Sequence, residues 1–277
     1  MTTLCYAKKT CSIGIHVLME EVGLPYDLKI VDFSKGEQKT PEYKALNPKG
    51  KVAALVRDDG SVLTEYAAIA VWLAMTNPEK KLVPTDPEGL ARTIEAMDFI
   101  VGTVHMLSWR LFRRPDAYSD SAEDHKQLRE RGMNAMLAAF DVVDEQLAGK
   151  EYLMGDFTIA DTALYYTQYW AVDVAGWSLP PNVQAHYERM KARTSVQPSH
   201  ELRVSPKHLL RRIVHFRLSS LYVTCTVRRT KLDQATVPSL TASANDLKNL
   251  AASFFAVPWI KRLPNCASFP PISAFAL

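Results

Sequence analysis

Residues 4–23, LCYAKKTCSIGIHVLMEEVG, read as a short apolar strand, a polar turn and a helix that Gly23 closes. Cys11 stands where the turn enters the helix. Unpaired backbone N–H groups and the positive end of the helix dipole lower the pKa of a thiol at this position, and Lys8 and Lys9 add positive charge. Cys11 is therefore the leading candidate for chemistry. A small, half-buried and inert cysteine is the alternative interpretation.

An α/β pattern continues outward from this stretch. Apolar and charged residues alternate over 26–30, which predicts a second strand followed by a polar segment. Apolar runs at 52–56 and 61–63 flank an Asp-Gly pair, a strong hairpin signal. Thr64 then caps a helix that reaches about Ala74. The sequence predicts a small α/β unit over residues 1–83.

From Pro87 onward the periodicity is helical, and no strand pattern interrupts it. The predicted helices span 89–111, 122–149 and 159–174. Thr158 and Asp161 have the spacing of a capping box. The helix that follows carries no charge between Asp161 and Asp173, which predicts a helix in the core. We expect an all-α unit over residues 89–197.

The charge balance changes sharply after Gln197. Residues 1–197 carry a net charge of −5 and residues 198–277 one of +8. This basic, proline-containing tail has no sustained period except at 206–223, which could form a basic amphipathic helix on an anionic membrane. An irregular tail that was never selected for structure is the favoured interpretation, and membrane contact is not expected.

Composition narrows the class of protein. With 277 residues, 47% of them hydrophobic and 23% charged, the chain can bury a sizeable core. It has no apolar run of membrane-spanning length and no apparent leader, so we expect a cytoplasmic protein. None of the four cysteines forms a closely spaced pair, which argues against a metal site or a disulfide framework. The basic tail contains no recognisable nucleic-acid-binding module.

Several short motifs, taken in order, resemble one known family. They are Cys11-Ser12, Asn47-Pro48-Lys49-Gly50-Lys51-Val52, Leu63-Thr64-Glu65, Ala68-Ile69, Asp98 with His105, Tyr152-Leu153-Met154-Gly155, the capping box at Thr158, and Tyr187 to Arg193. Each is weak alone, but their order and spacing are specific. Residues 1–197 resemble a bacterial glutathione transferase of the cysteine-bearing, beta-like kind.

The resemblance implies a thioredoxin-like N-terminal domain that binds glutathione, an all-helical C-terminal domain that supplies the second substrate's pocket, and a homodimer. It implies that Cys11 can form a mixed disulfide with glutathione and that His105 faces the same site. Val52 would pair its backbone with the glutathione cysteine. The inert alternative for His105 is a satisfied helix histidine.

The remaining glutathione contacts also follow from the resemblance. Lys35 would meet the glycine carboxylate, with Lys51 as a further contact. Glu65 and the N–H groups that open the next helix, beginning with Tyr66, would hold the γ-glutamyl end, as suits a helix N-terminus that faces a carboxylate. The alternatives are solvated lysines and a glutamate favoured only by the helix dipole.

Two residues depart from the family pattern. Ala53 stands where the family has a proline after a cis bond, and because a cis bond before a non-proline residue costs about 2.5–4 kcal/mol, we expect Val52-Ala53 to be trans. Tyr66 stands where a serine or threonine is expected. The lost hydroxyl would weaken glutathione binding by about 1.5–3 kcal/mol, unless the phenol replaces it in part.

The resemblance therefore implies an enzyme that conjugates glutathione, its co-substrate, to small electrophiles, a detoxification reaction. Thiol–disulfide exchange through Cys11 would be a second activity. The alternative, which Ala53 and Tyr66 favour, is a protein of the same fold that binds a ligand or a partner without turnover. Cys11→Ala tests the covalent role, which is wrong if the variant keeps its disulfide reductase activity unchanged.

Overall fold

The computed structural model describes residues 1–197 of the chain. The amphipathic helix expected at 206–223 and the irregular tail over 198–277 lie outside the described residues. Within residues 1–197 an α/β region is followed by a helical region, as the sequence predicts.

A four-stranded mixed sheet organises the α/β region. Its strands are β1 (Thr3–Tyr6), β2 (Asp27–Ile30), β3 (Ala54–Val56) and β4 (Val62–Thr64), in the order β2-β1-β3-β4. The β1 and β2 strands pair in parallel, with Leu4 opposite Leu28, whereas β3 pairs antiparallel with both β1 and β4. The predicted hairpin is therefore confirmed.

Three helices accompany the sheet: α1 (Ser12–Val22), α2 (Pro41–Leu46) and α3 (Tyr66–Thr76). Gly23 ends α1 in the left-handed conformation, with φ 78°. The sequence analysis missed α2, although its cap is regular, because the Thr40 side chain accepts from the N–H of Tyr43. The prediction that Thr64 caps α3 was wrong, since Thr64 belongs to β4 and Glu65 is the N-cap.

The helical region contains α4 (Pro87–Asp98), a π-helical segment (Phe99–Trp109), α5 (Arg110–Arg113), α6 (Asp124–Leu147), α7 (Ile159–Tyr169), a second π-helical segment (Trp170–Val174) and α8 (Pro181–Lys191). Single 3₁₀ turns lie at Glu37–Lys39, Pro78–Lys80 and Pro115–Ala117. Three continuous helical stretches, 87–113, 124–147 and 159–174, match the predicted helices 89–111, 122–149 and 159–174 to within a few residues. The sequence analysis did not predict α8, which begins at a proline.

The capping box at the start of α7 is confirmed. The N–H of Thr158 donates to a carboxylate oxygen of Asp161 at 2.7 Å. The other carboxylate oxygen accepts from the N–H of Leu153 at 2.9 Å and lies 3.1 Å from Nε2 of the buried His186. One buried carboxylate therefore fixes the start of α7, the loop before it and α8.

As predicted, α7 is a core helix, because every residue from Ile159 to Gln168 is buried. It packs against α1, and that contact requires a glycine. A Cβ atom on Gly14 would lie 2.6 Å from the carbonyl oxygen of Thr162 and 2.4 Å from the hydroxyl of Tyr66. The α/β region and the helical region thus meet at close backbone contact beneath the Cys11 turn.

No helix within residues 1–197 combines the length and hydropathy that a membrane span requires. The same residues contain no cluster of three histidine, cysteine, aspartate or glutamate side chains arranged to hold a metal ion.

Candidate active site

Cys11 occupies the predicted place, as the N-cap of α1. The turn before it is held by side-chain hydrogen bonds. The hydroxyls of Thr10 and Ser12 donate to the carbonyl of Ala7 at 2.9 and 3.1 Å, and the N–H of Ala7 lies 3.1 Å from the Ser12 oxygen. The turn is therefore a fixed platform for the sulfur.

The chemical state of Cys11 differs from the prediction. The thiol is half-buried, and burial raises its pKa to about 11. Its Sγ–H donates to the carbonyl of Val52 at 3.5 Å. Backbone N–H groups at the sulfur and Lys51 lower the pKa but do not outweigh burial. The prediction of a thiolate failed because it counted the helix terminus and left out desolvation.

The peptide bond between Val52 and Ala53 is cis, so the expected trans bond was wrong. The expectation used the local preference of the amide alone. The preceding carbonyl of Lys51 is held from two sides, by the hydroxyl of Tyr43 and the side-chain amide of Asn47, both at 2.7 Å. Ala53 itself is buried, and its backbone hydrogen-bonds to the Cys11 sulfur. This segment is therefore held both by nearby residues of the chain and by the Cys11 sulfur.

Charged side chains near the Cys11 sulfur shift its pKa in opposite directions. Lys51 is exposed, yet its charge lowers the pKa of both Cys11 and His105, which assigns all three to one neighbourhood. Glu65 acts in the opposite direction on Cys11. Lys8 and Lys9, which the sequence analysis invoked, are not among the charges that shift the Cys11 pKa.

Glu65 precedes α3 with φ 73°, a left-handed conformation that a glutamate rarely adopts. Its carboxylate forms an ion pair with Lys49 at 2.6 Å, and Lys49 also donates to the hydroxyl of Thr64 at 2.9 Å. The sequence analysis did not foresee this pair. The ion pair joins two exposed side chains at the residue that precedes α3.

The phenol of Tyr66 points into the protein. Its hydroxyl lies 2.8 Å from the hydroxyl of Thr162 on α7, and the side chain is buried. The phenol therefore does not replace the short hydroxyl that the resemblance predicts at the start of α3. Only the backbone N–H of Tyr66 stays available there.

Lys35 follows β2, on the surface. Its ammonium pairs with Asp32 at 3.5 Å, and 73% of its side chain is exposed. No described contact joins Lys35 to the Cys11 neighbourhood.

His105 lies on the π-helical segment and meets aromatic side chains from α7 and the segment that follows it. Its Nδ1 is 3.2 Å from the hydroxyl of Tyr166, and its ring meets Trp170 edge-on at 4.7 Å. Trp170 in turn donates from Nε1 to the carbonyl of Lys9 at 2.9 Å, within the Cys11 turn. Burial and the positive charges of Lys51 and Arg110 lower the His105 pKa to about 4.

Three residues that the sequence analysis did not assign to the site share one side of α7 and its continuation. Thr162 bonds to Tyr66, Tyr166 to His105 and Trp170 to the Cys11 turn. Their spacing of four residues places them in one row, which we call the α7 face. The spacing and the absence of charge in this stretch were visible in the sequence, but the partners of the α7 face were not.

The family models agree with this architecture. Residues 10–76 match the model of the glutathione S-transferase N-terminal domain, and residues 126–189 match that of the glutathione S-transferase C-terminal domain. Cys11, Val52 and Glu65 fall within the first match. His105 falls between the two.

Known proteins extend the match over most of residues 1–197. Glutathione S-transferase GstA of Escherichia coli O157:H7 is 32% identical over 198 residues, 70% of this chain and 94% of the relative. A glutathione transferase homologue from Sulfitobacter, solved with bound glutathione, is 31% identical with a TM-score of 0.68, over 73% of this chain and 97% of the other.

A beta-class enzyme is also among the similar structures. The bacterial beta-class glutathione S-transferase of Sphingomonas chungbukensis is 27% identical with a TM-score of 0.62, over 72% of this chain and 98% of the other. The predicted resemblance and fold class are thereby confirmed. From the fold, the two family models and the match to almost the full length of these relatives, the chain belongs to the glutathione S-transferase family.

Proposed function

We propose that this protein binds glutathione beside Cys11 and transfers it to small electrophiles. The observation that carries the proposal is the convergence of the Cys11 turn, the Val52–Ala53 backbone and Lys51 on one sulfur position. The Sulfitobacter homologue was solved with glutathione, which supports the same co-substrate here.

In this proposal the α/β region binds glutathione mainly through its backbone. Val52 pairs with the glutathione cysteine, and the N–H groups that begin α3 receive the γ-glutamyl carboxylate. Glu65 meets the γ-glutamyl ammonium, so it exchanges part of its contact with Lys49 for the ligand. Lys35 reaches the glycine carboxylate after leaving Asp32, and its exposed ammonium has the freedom to do so.

Conjugation needs a glutathione thiolate near neutral pH. The backbone N–H groups at the Cys11 sulfur, the N-terminus of α1 and the charge of Lys51 all favour a negative sulfur at this position. The thiolate attacks the electrophilic carbon, a C–S bond forms from the sulfur lone pair, and the leaving group departs with the electrons of the broken bond.

Thiol–disulfide exchange is the second proposed activity. The Cys11 sulfur attacks the glutathionyl sulfur of a mixed disulfide, and the other thiolate leaves with the electron pair of the broken S–S bond. A second glutathione thiolate then releases glutathione disulfide and regenerates Cys11. Because the pKa of Cys11 is about 11 in the free protein, only a small fraction is thiolate at pH 7, and we expect exchange to be the slower reaction.

A second candidate function is ligand or partner binding without turnover. The phenol of Tyr66 is directed to Thr162, so that α3 begins without a side-chain hydroxyl, and this observation favours the binding function. The pKa of Cys11, which burial raises, favours it as well.

An activity assay separates these functions. Full-length protein is mixed with glutathione and either an activated aryl halide, for conjugation, or a mixed disulfide of glutathione, for exchange. The original protein is compared with Cys11→Ala and with Cys5→Ala, which changes a cysteine buried in the sheet. We expect conjugation by all three proteins and loss of exchange in Cys11→Ala only. Absence of both activities in a folded protein that still binds glutathione would favour the binding function.

Family membership also suggests the setting of this function. We propose that the chain has two domains, over residues 1–83 and 89–197, and that it forms a homodimer. We also propose a detoxifying role in the cytoplasm. Light scattering on the purified full-length chain tests the dimer, because a monomeric mass would contradict it.

A further inference from the structure

His105 uses one ring nitrogen within the protein. Its Nδ1 is 3.2 Å from the hydroxyl of Tyr166, whereas Nε2 makes no hydrogen bond to any of residues 1–197. The imidazole is therefore anchored from one side and open on the other. Two arrangements fit this geometry: the phenol donates to Nδ1, or Nδ1–H donates to the phenol.

The chemistry of the pair selects the first arrangement. Tyr166 is fully buried, and a buried O–H needs an acceptor. Within residues 1–197, His105 Nδ1 is the hydrogen-bond partner recorded for this hydroxyl. A phenol is a stronger hydrogen-bond donor than a neutral imidazole N–H, and an imidazole nitrogen is the better acceptor. The Tyr166 hydrogen thus lies on the line to Nδ1, and the imidazole hydrogen is on Nε2.

The surroundings keep both rings in place and keep the imidazole neutral. Trp170 meets the rings of His105 and Tyr166 at 4.7 and 4.8 Å, and Tyr66 packs against Tyr166 at 5.2 Å. The charged groups that face His105 are Lys51 and Arg110, both cationic, and they disfavour an imidazolium.

We propose that Tyr166 is a positioning residue that holds His105 as the neutral Nε2–H tautomer, so that the imidazole donates a hydrogen bond to the glutathione sulfur and does not act as a base. This inference rests on the proposed function, because the sulfur is that of bound glutathione. Its structural half, the tautomer set by Tyr166, holds or fails without any substrate.

The tautomer is measured directly by NMR. Protein labelled with ¹⁵N-histidine is examined at pH 7 in the absence of glutathione, and His105→Gln identifies the His105 signals among the seven histidines. We expect a directly bonded proton on Nε2 and none on Nδ1. In Tyr166→Phe the bias toward this tautomer should be lost. A proton on Nδ1 in the original protein, or an unchanged tautomer in Tyr166→Phe, would overturn the proposal.

Kinetics test the role of the donor. Glutamine also offers a neutral N–H donor, so we expect His105→Gln to keep kcat/KM for conjugation within about threefold, and His105→Ala to lose about a hundredfold. Tyr166→Phe should lose about three- to tenfold, the worth of one hydrogen bond. Tyr165→Phe, which removes a neighbouring buried phenol that stacks on Tyr187, is the matched control and should lose none of this activity.

The pH profile separates a donor from a base. A base would give an acidic limb in kcat/KM that disappears in His105→Gln, whereas a donor leaves the same limb in both proteins. Loss of that limb would overturn the proposal. If the original protein binds no glutathione by calorimetry, the proposed function fails, and the NMR result alone then decides whether Tyr166 sets the tautomer.

Discussion

The α/β region and the helical region contribute to the site in different ways. The first supplies main-chain groups and helix N-termini around Cys11, at the Val52–Ala53 bond and at the start of α3. The second supplies side chains, His105 and the α7 face, which are held by other side chains. The main-chain groups act through the path of the backbone, whereas the side chains of the helical region are held by packing against side chains far away in the sequence.

Each region nevertheless holds its titratable group, Cys11 in one and His105 in the other, in the uncharged form. Burial raises the pKa of Cys11 to about 11 and lowers that of His105 to about 4, so both groups are neutral near pH 7. In the free protein near pH 7 the thiolate of Cys11 and the imidazolium of His105 are therefore both minor forms. The positive charge of Lys51 lowers the pKa of both groups. The same charge would stabilise the thiolate of a bound ligand.

The helical region should be the easier of the two to break by one substitution. Asp161→Ala leaves the N–H groups of Thr158 and Leu153 and the buried His186 without their acceptor, and we expect it to lower the free energy of unfolding by about 3–5 kcal/mol. Asp141→Ala, at an exposed position on α6, is the control and should change it by less than about 0.5 kcal/mol. Urea denaturation measures the free energy of unfolding of both variants. Equal effects would show that the hydrogen bonds of the Asp161 carboxylate do not stabilise the fold.

The contact between the two regions should be next in size. Gly14→Ala places a Cβ against Tyr66 and the backbone of Thr162, so we expect a loss of about 1–3 kcal/mol. Gly102→Ala lies on the π-helical segment with open space around it and should be neutral or stabilising by up to about 1 kcal/mol. If thermal unfolding shows no difference between the two variants, the close approach of α1 and α7 does not exist in solution.

Acid should reveal the lowered pKa of His105, a partly buried histidine of the helical region. A lowered pKa means that unfolding takes up a proton, so the contribution of His105 is complete above its unfolded value of 6.5 and is lost as the pH falls toward 4. Because the ring keeps some contact with solvent, we expect about 1–2 kcal/mol less acid destabilisation in His105→Gln between pH 7 and 4. Parallel stability curves for the two proteins would show that His105 is not shifted.

The smallest effect concerns the charge shared by the two regions. Alkylation of Cys11, followed by peptide mapping, should rise with pH toward a midpoint near 11 in the free protein. Lys51→Met should raise that midpoint slightly, because it removes a charge that lowers the pKa. Lys35→Met, at a lysine paired with Asp32, should leave it unchanged. A midpoint below 9 in the original protein would mean that the helix terminus outweighs burial.

The sequence predicted what depends on local signals. Gly23, the Asp-Gly hairpin and the capping box were correct because each is a short-range rule. The expected trans Val52–Ala53 bond was wrong because the prediction used only the general preference of a non-proline amide. The pKa of Cys11 was wrong because the prediction left out desolvation.

The contacts of the α7 face could not be predicted from the sequence either. Its four-residue spacing was visible, but the partners Tyr66, His105 and the Lys9 carbonyl lie 96, 61 and 161 residues away in the chain. No local pattern names such partners. The orientation of the Tyr66 phenol toward Thr162 is equally a result of how α3 meets α7.

The most direct test is a calorimetric titration of glutathione into the full-length protein, compared with Glu65→Gln and with Glu79→Gln, a control on the 3₁₀ turn beyond the other end of α3. The account predicts binding by the original protein and by Glu79→Gln, and an affinity about ten- to a hundredfold lower for Glu65→Gln, which loses a charged hydrogen bond to the γ-glutamyl end. Absence of binding by the folded original protein, or equal affinities for all three, would contradict it.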